Sequence, residues 1–273
     1  MSSSYISYKN SRLAYQKYEG GKSCVFVFHG FGHTHLSMQE ISLFFQERGY
    51  TVYAFDLYFH GDSEWQYDGS PIQLNELEHI FSSFLVQEDI DSFAILAYSI
   101  GSRFAVSLSY LFPQYLSAIY LMAPDAVKIS AWYRFLTGNY FGKSIFRLIK
   151  NERAYKIALS VMSSVGLVNA SMLRFVQNRM KNKTERNKIY VTWMAFRALG
   201  IPFERLAQKL NREKVPFYLF LGKYDRLIPY QKLLKQMDYL KESEIYLYDT
   251  GHNQLLYAKP FFEDLATLLS NDN

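Results

Sequence analysis

Short apolar runs free of charged and turn residues recur along this chain, each followed by a segment with helical spacing. That alternation is its strongest constraint. Ser23–Phe28 reads as a strand, Leu36–Arg48 as a helix and Thr51–Phe55 as a strand. Ile72–Val86 then reads as a helix, and Phe93–Ala97 and Ala118–Met122 as strands. The pattern resumes late, with strands at Pro216–Leu221 and Glu244–Tyr248 and helices at Tyr230–Leu240 and Pro260–Leu269. Unpunctuated apolar strands suit burial on both faces, and their alternation with helices predicts an α/β fold with a mostly parallel central sheet. Tyr5–Tyr18 can add an antiparallel hairpin at one edge.

Between residues 125 and 200 the alternation stops and the pattern is helical throughout. The reading is a core of 1–124 and 201–273 with a helical insertion, 125–200, after the sixth strand. The insertion is basic: Val127–Gly200 carries 14 Lys or Arg against Glu152 and Glu185, while the whole chain is only +5, so the rest is net acidic. Three roles fit such a segment: a solvated face, steering of an anionic substrate, or adhesion to anionic lipid through Trp132, Tyr133, Phe135 and Phe146. No nucleic-acid recognition motif accompanies the charge, so no nucleic-acid partner is expected.

An apolar fraction of 49% places the chain among folded globular proteins. The single cysteine, Cys24, lies in a strand-like run and reads as core rather than nucleophile. Met1–Tyr5 has neither a basic nor an apolar signal region, and no apolar run approaches the ~20 residues of a spanning helix, so a cytoplasmic location is expected.

The chemistry gathers around Ala97-Tyr98-Ser99-Ile100-Gly101. A strand precedes Ser99, and helical spacing from Gly101 to Phe112 follows it until Pro113. Such a strand-to-helix turn strains the serine backbone, lifts its hydroxyl off the sheet and aims a helix N-terminus at it. A serine hydroxyl needs a base, and the base needs an orienting carboxylate. Asp225 follows the strand ending near Leu221, and His252 follows the strand ending at Tyr248, both at the sheet edge where open α/β sheets build their sites. Asp125, after the sixth strand, is the alternative acid.

These motifs resemble the α/β-hydrolase fold superfamily, in particular its capped serine hydrolases of esterase and lipase type. His29-Gly30-Phe31-Gly32 resembles the family's oxyanion turn, and Asp56–Ser63 its Asp-x-x-Gly-x-Gly-x-Ser loop. Two departures show: Phe59 and His60 stand near where small residues are usual, and Ala97 replaces the first glycine of the elbow. The resemblance implies a catalytic triad of Ser99, Asp225 and His252, with the backbone amides of Phe31 and Ile100 holding the oxyanion. It implies a small-molecule acyl ester or thioester as substrate, with no metal and no cofactor. The insertion would be a cap, and its Phe, Leu, Met and Trp content suggests an apolar acyl group. The same fold and triad also support C–C bond hydrolysis, a menaquinone-pathway-like lyase reaction, or a non-catalytic ligand receptor. Haloalkane dehalogenation is disfavoured, since it requires an Asp where Ser99 stands. His29 is read as a hydrogen-bonding residue of its turn, and His33, His35 and His60 as solvated or rim histidines. Arg103 and Asp62 are read as structural.

Overall fold

A computed structural model describes residues 3–164 and 180–271; residues 165–179 of the expected helical insertion lie outside the described residues. Eight strands form one sheet in the order β1-β2-β4-β3-β5-β6-β7-β8. The hairpin is β1 (Ser4–Tyr8) and β2 (Ser11–Tyr18), and β2 runs antiparallel to β4 (Thr51–Phe55). The remaining pairings, through β3 (Cys24–Phe28), β5 (Phe93–Tyr98), β6 (Leu116–Met122), β7 (Phe217–Gly222) and β8 (Ser243–Tyr248), are all parallel. Every residue of β3, β4, β5 and β7 is buried, as the unbroken apolar runs require. Cys24 is one of them, and burial pushes its thiol pKa up, away from nucleophilic use.

The described α-helices are α1 (Gln39–Gln46), α2 (Leu74–Gln87), α3 (Ser102–Leu111), α4 (Ala131–Gly138), α5 (Tyr140–Arg147), α6 (Glu152–Ser164), α7 (Lys183–Ala195), α8 (Phe203–Glu213), α9 (Gln231–Met237) and α10 (Lys259–Asn271). Two helix starts differ from the sequence reading by two residues or more. The segment from Leu36 starts as a 3-10 turn, His35–Met38, before α1. The second helix starts at Leu74 rather than Ile72: Gln73 and Glu76 form a capping box, and the Ile72 N–H donates to the Ala195 carbonyl instead.

The chain divides into two compact units. The first comprises Met1–Gln66, Gln73–Lys128 and Leu199–Asn273 and holds the whole sheet. The second comprises Tyr67–Ile72 and Ile129–Ala198, and its described residues contain helices and no strand.

A polar stitch joins the antiparallel edge of the sheet to the end of α2. Glu88 accepts hydrogen bonds from Tyr15 Oη at 3.1 Å and Tyr53 Oη at 3.0 Å, and pairs with Lys17 Nζ at 3.1 Å. Burial pushes the Glu88 carboxyl up, but its bonds to Lys17, Tyr53 and Tyr15 together outweigh this and hold it below the usual 4.5. Asp56, buried after β4, is likewise held below 3.8: burial raises it, and bonds from His35 and the Asp62 amide prevail. Such carboxylates contribute stability above their unfolded pKa and lose it as pH falls through the folded value. Thermal melts should therefore show Tm falling once pH drops below about 4.5. Glu88→Gln should lie below wild type at neutral pH, with the gap closing in acid. A gap independent of pH would show that the ionisation of Glu88 is not linked to folding.

Candidate active site

The strand order reverses direction between β3 and β5, and the loops leaving the C-terminal ends of these neighbours part at that point. The loop after β5 is the serine turn. Ser99 has φ +52°, in the left-handed region that non-glycine residues avoid at a cost of about 1–3 kcal/mol. Several contacts enforce it. Gly101 packs so closely on β3 that a Cβ there would lie 2.5 Å from the His29 carbonyl oxygen and 2.7 Å from that of Phe28. Ser102 Oγ donates to the Ser99 carbonyl at 2.5 Å and accepts from the Ala126 amide at 3.1 Å, tying the turn to the loop after β6. Ala97, at the imperfect first position of the motif, is fully buried within β5 between Phe28 of β3 and Leu121 of β6. A small side chain suffices there; a missing Cβ is needed only after the serine, at Gly101.

β7 and β8 bring the partners. Asp225 Oδ1 accepts from the Leu227 and Ile228 amides at 2.8 and 2.9 Å, leaving Oδ2 to point at His252 Nδ1, 2.6 Å away. His252 Nε2 lies 3.0 Å from Ser99 Oγ. Since Asp225 can only accept, the Nδ1 carries the proton and Nε2 is the lone pair facing the serine. The Asp225 side chain is 1% exposed and that of His252 11%, so this relay is shielded from bulk water. It can take a proton from Ser99 as the hydroxyl attacks an electrophile, while the carboxylate supports the resulting imidazolium.

Asp125, the alternative acid, is paired elsewhere: Arg103 Nε and Nη2 donate to its Oδ2 at 3.0 and 2.9 Å. Arg103 itself is almost wholly buried, in keeping with a structural place. Asp62 is exposed; it accepts from Ser3 Oγ at 2.7 Å, and its amide donates to Asp56 Oδ2 at 3.0 Å.

The turn after β3 lies against the serine. At Gly30, an added Cβ would meet the Tyr98 ring at 2.7 Å and the Ser99 Cβ at 3.3 Å, so only glycine lets Phe31 follow so near Ser99. His29 holds this turn: its Nε2 accepts from the Leu57 amide at 2.9 Å, so its Nδ1–H donates to the Gly30 carbonyl at 2.7 Å. Its ring is therefore neutral and serves as a brace. Ile100 is the second residue of the 3-10 turn Ser99–Gly101 that leads into α3, so its amide stands in the first turn of a helical N-terminus.

The other histidines part company with the sequence reading in one case. His60 is buried rather than solvated, its ring edge-on to Phe31 at 5.1 Å and 5.3 Å from His29. His35 donates its amide to Asp56 Oδ1 at 2.6 Å, with its Nδ1 3.0 Å from the same oxygen; His33 stands edge-on to the Tyr98 ring at 6.0 Å. Among the described residues no group of three or more His, Cys, Asp or Glu could hold a metal ion. Of the loop after β4, Phe59 at φ +68° takes a backbone conformation suited to glycine, and Gly61 leaves room for Asp56, whose Oδ2 an added Cβ would overlap at 1.8 Å.

Sequence reasoning passed over Tyr98. Its hydroxyl lies 3.1 Å from the His252 carbonyl oxygen and 3.2 Å from Asn253 Oδ1, and its ring is 5.1 Å from the His252 imidazole. One side chain thus underlies the Gly30 turn and braces the histidine loop. Only its place beside Ser99, as the one large polar-tipped residue of the turn, marked it in the sequence.

The sequence profile described as alpha/beta hydrolase fold matches residues 24–259. No curated protein matches the chain. Solved structures resemble it over nearly their whole length at low identity. A carboxylesterase of the ammonia-oxidizing thaumarchaeon Nitrososphaera gargenis is 16% identical, with 98% of each chain covered and a TM-score of 0.69. A thermophilic esterase from Thermogutta terrifontis is 13% identical, covering 100% of this chain and 99% of its own, with a TM-score of 0.68. A bacterial membrane phospholipase A described as a virulence factor is 17% identical, covering 99% and 86%, with a TM-score of 0.66.

Proposed function

Because the chain belongs to the alpha/beta hydrolase fold family, we propose that it is a serine hydrolase cleaving a carboxylic ester or thioester. The observation that carries this reading is the single imidazole, His252, lying 3.0 Å from Ser99 Oγ and 2.6 Å from Asp225 Oδ2. The fold hosts several reactions, so the site rather than the fold supports the assignment.

In this reading Ser99 Oγ attacks the acyl carbonyl carbon as its proton passes to His252 Nε2. Asp225 fixes the imidazole tautomer and supports its positive charge. The oxyanion rests on the Phe31 and Ile100 amides, each such donor contributing roughly 3 kcal/mol to the transition state. The tetrahedral intermediate collapses, and the leaving alcohol or thiol takes the proton from His252. Water, deprotonated by the same imidazole, then attacks the acyl-enzyme and releases the acid. No step requires a metal or an organic cofactor.

A fluorophosphonate probe combined with a panel of nitrophenyl esters and acyl thioesters of graded chain length tests the proposal. Covalent labelling mapped to the Ser99 peptide, with turnover of at least one panel member, is the expected result. Absence of labelling would favour a ligand receptor, and labelling without ester or thioester turnover would favour C–C bond cleavage on the same serine.

Tyr98→Phe keeps the ring under Gly30 and removes the hydroxyl bond to the histidine loop. It is expected to lower kcat by about 3- to 10-fold, the worth of one such hydrogen bond, with KM unchanged. An equal rise in KM with kcat preserved would show that Tyr98 shapes substrate binding instead of holding His252.

A further inference from the structure

The second unit presents an apolar face where a helix of a globular protein is expected to be polar. On α5, the inward side is Gly142 and Phe146. Gly142 packs so tightly on α4 that a Cβ would overlap the Phe135 carbonyl oxygen at 1.9 Å, and Phe146 lies 5.3 Å from both the Tyr190 and Trp193 rings of α7. The opposite side is Tyr140, Phe141, Ser144, Ile145 and, one residue past Arg147, Leu148, a spacing that places them on one face. Tyr140 is 87% exposed, Phe141 67% and Leu148 54%. The face extends onto α4, where Phe135 lies 6.4 Å from Phe141 and stacks on the exposed Trp132 at 5.6 Å.

The charges around this face have one sign. Ala126–Asn151 contains Lys128, Arg134, Lys143, Arg147 and Lys150 and no Asp or Glu. Burial, and then repulsion from Arg147, pushes the Lys150 ammonium pKa down, as expected where cations crowd. An exposed apolar helix face flanked by lysine and arginine and edged by Trp and Tyr matches the surface of an anionic bilayer. A second copy of the chain fits poorly, because a two-fold contact would set these cations against themselves. The aromatic set differs from the one drawn from the sequence: Tyr133 and Phe146 are buried, Tyr133 giving its hydroxyl to the Trp193 carbonyl at 2.7 Å.

We propose that this chain docks on anionic lipid bilayers through the α4–α5 face, with Trp132, Tyr140, Phe141, Ile145 and Leu148 in the interface and Lys143 and Arg147 against the headgroups. No described helix is long and apolar enough to cross a membrane, and such docking lies in the plane of the surface. The proposal does not depend on Ser99, so it stands or falls apart from the reaction.

The test is co-sedimentation of the full chain with vesicles of phosphatidylcholine alone and of phosphatidylcholine with phosphatidylglycerol. Binding is expected to the anionic vesicles at low salt and to weaken steeply as salt rises. The pair Phe141→Ser and Leu148→Ser, at exposed positions, should lower the partition coefficient about tenfold or more. Lys143→Glu with Arg147→Glu should remove the preference for phosphatidylglycerol. All these variants should melt like wild type and label equally with a fluorophosphonate. No binding to anionic vesicles at low salt, or binding equal in wild type and the Phe141→Ser, Leu148→Ser variant, would overturn the proposal. So would a dimer in sedimentation velocity that this variant dissolves, since a second copy would then cover the face.

Discussion

Ser99→Ala is expected to lower kcat on any ester the wild type turns over by about 10⁶-fold, and His252→Ala by nearly as much. The double variant should be no worse than either alone. The reason is that Ser99 and His252 are one device: the hydroxyl is a poor nucleophile without the imidazole 3.0 Å away, and the imidazole has no covalent role without the hydroxyl. What survives is the contribution of the Phe31 and Ile100 amides and of binding, which can leave some 10³-fold over water. Removing one oxygen at a half-buried position should leave the fold intact, so thermal melts should match wild type while fluorophosphonate labelling disappears. Retention of a tenth of the wild-type rate by Ser99→Ala would place the nucleophile elsewhere.

Asp225→Asn should cost about 10⁴-fold in kcat, and the structure says why an isosteric change does so much. Oδ1 of this residue accepts from two amides, Leu227 and Ile228. An asparagine would keep its oxygen on those donors, because turning its NH₂ toward them would set donor against donor. Its NH₂ would then face His252 Nδ1, which would have to become the acceptor. The imidazole proton would move to Nε2 and point at Ser99, leaving the serine without a base. Asp125→Asn should change kcat only a few-fold, since Asp125 is held by Arg103 and lies outside this relay. Steady-state kinetics of the two variants side by side decide the matter: the opposite ranking would transfer the acid to Asp125.

Much of this was legible in the sequence, for physical reasons that differ from place to place. Runs such as Phe93–Ala97 could be read because a strand buried on both faces tolerates no charge, and β5 is buried at every residue. The serine turn could be read because Ser99 needs a flanking glycine, Gly101, to approach β3. Tyr98 was not legible, because its hydroxyl partner is 154 residues away in the chain. His60 was misread for a related reason: beside Gly61 it looks like a loop residue, yet its ring fills space between Phe31 and His29 that only the folded turn creates. The apolar face of the second unit was misassigned because helix phase depends on where a helix restarts. Asn139, whose Oδ1 accepts from the Gly142 amide at 2.7 Å, ends α4 and resets the register for α5. One residue of shift there exchanges buried Phe146 for exposed Ile145.

The strand order carries a consequence for how the protein is made. β6 is completed at Met122, but its neighbour β7 begins only at Phe217, after the whole second unit has been synthesised. At ~5–20 residues per second, a ribosome needs roughly 5–20 s to cover that interval. Throughout it the β6 edge, with Ile119, Tyr120, Leu121 and Met122 in sequence, has no strand to pair with. The nascent chain therefore carries a sticky apolar edge for far longer than a hairpin takes to close, and its yield in the cell should depend on chaperones that shield such edges during translation.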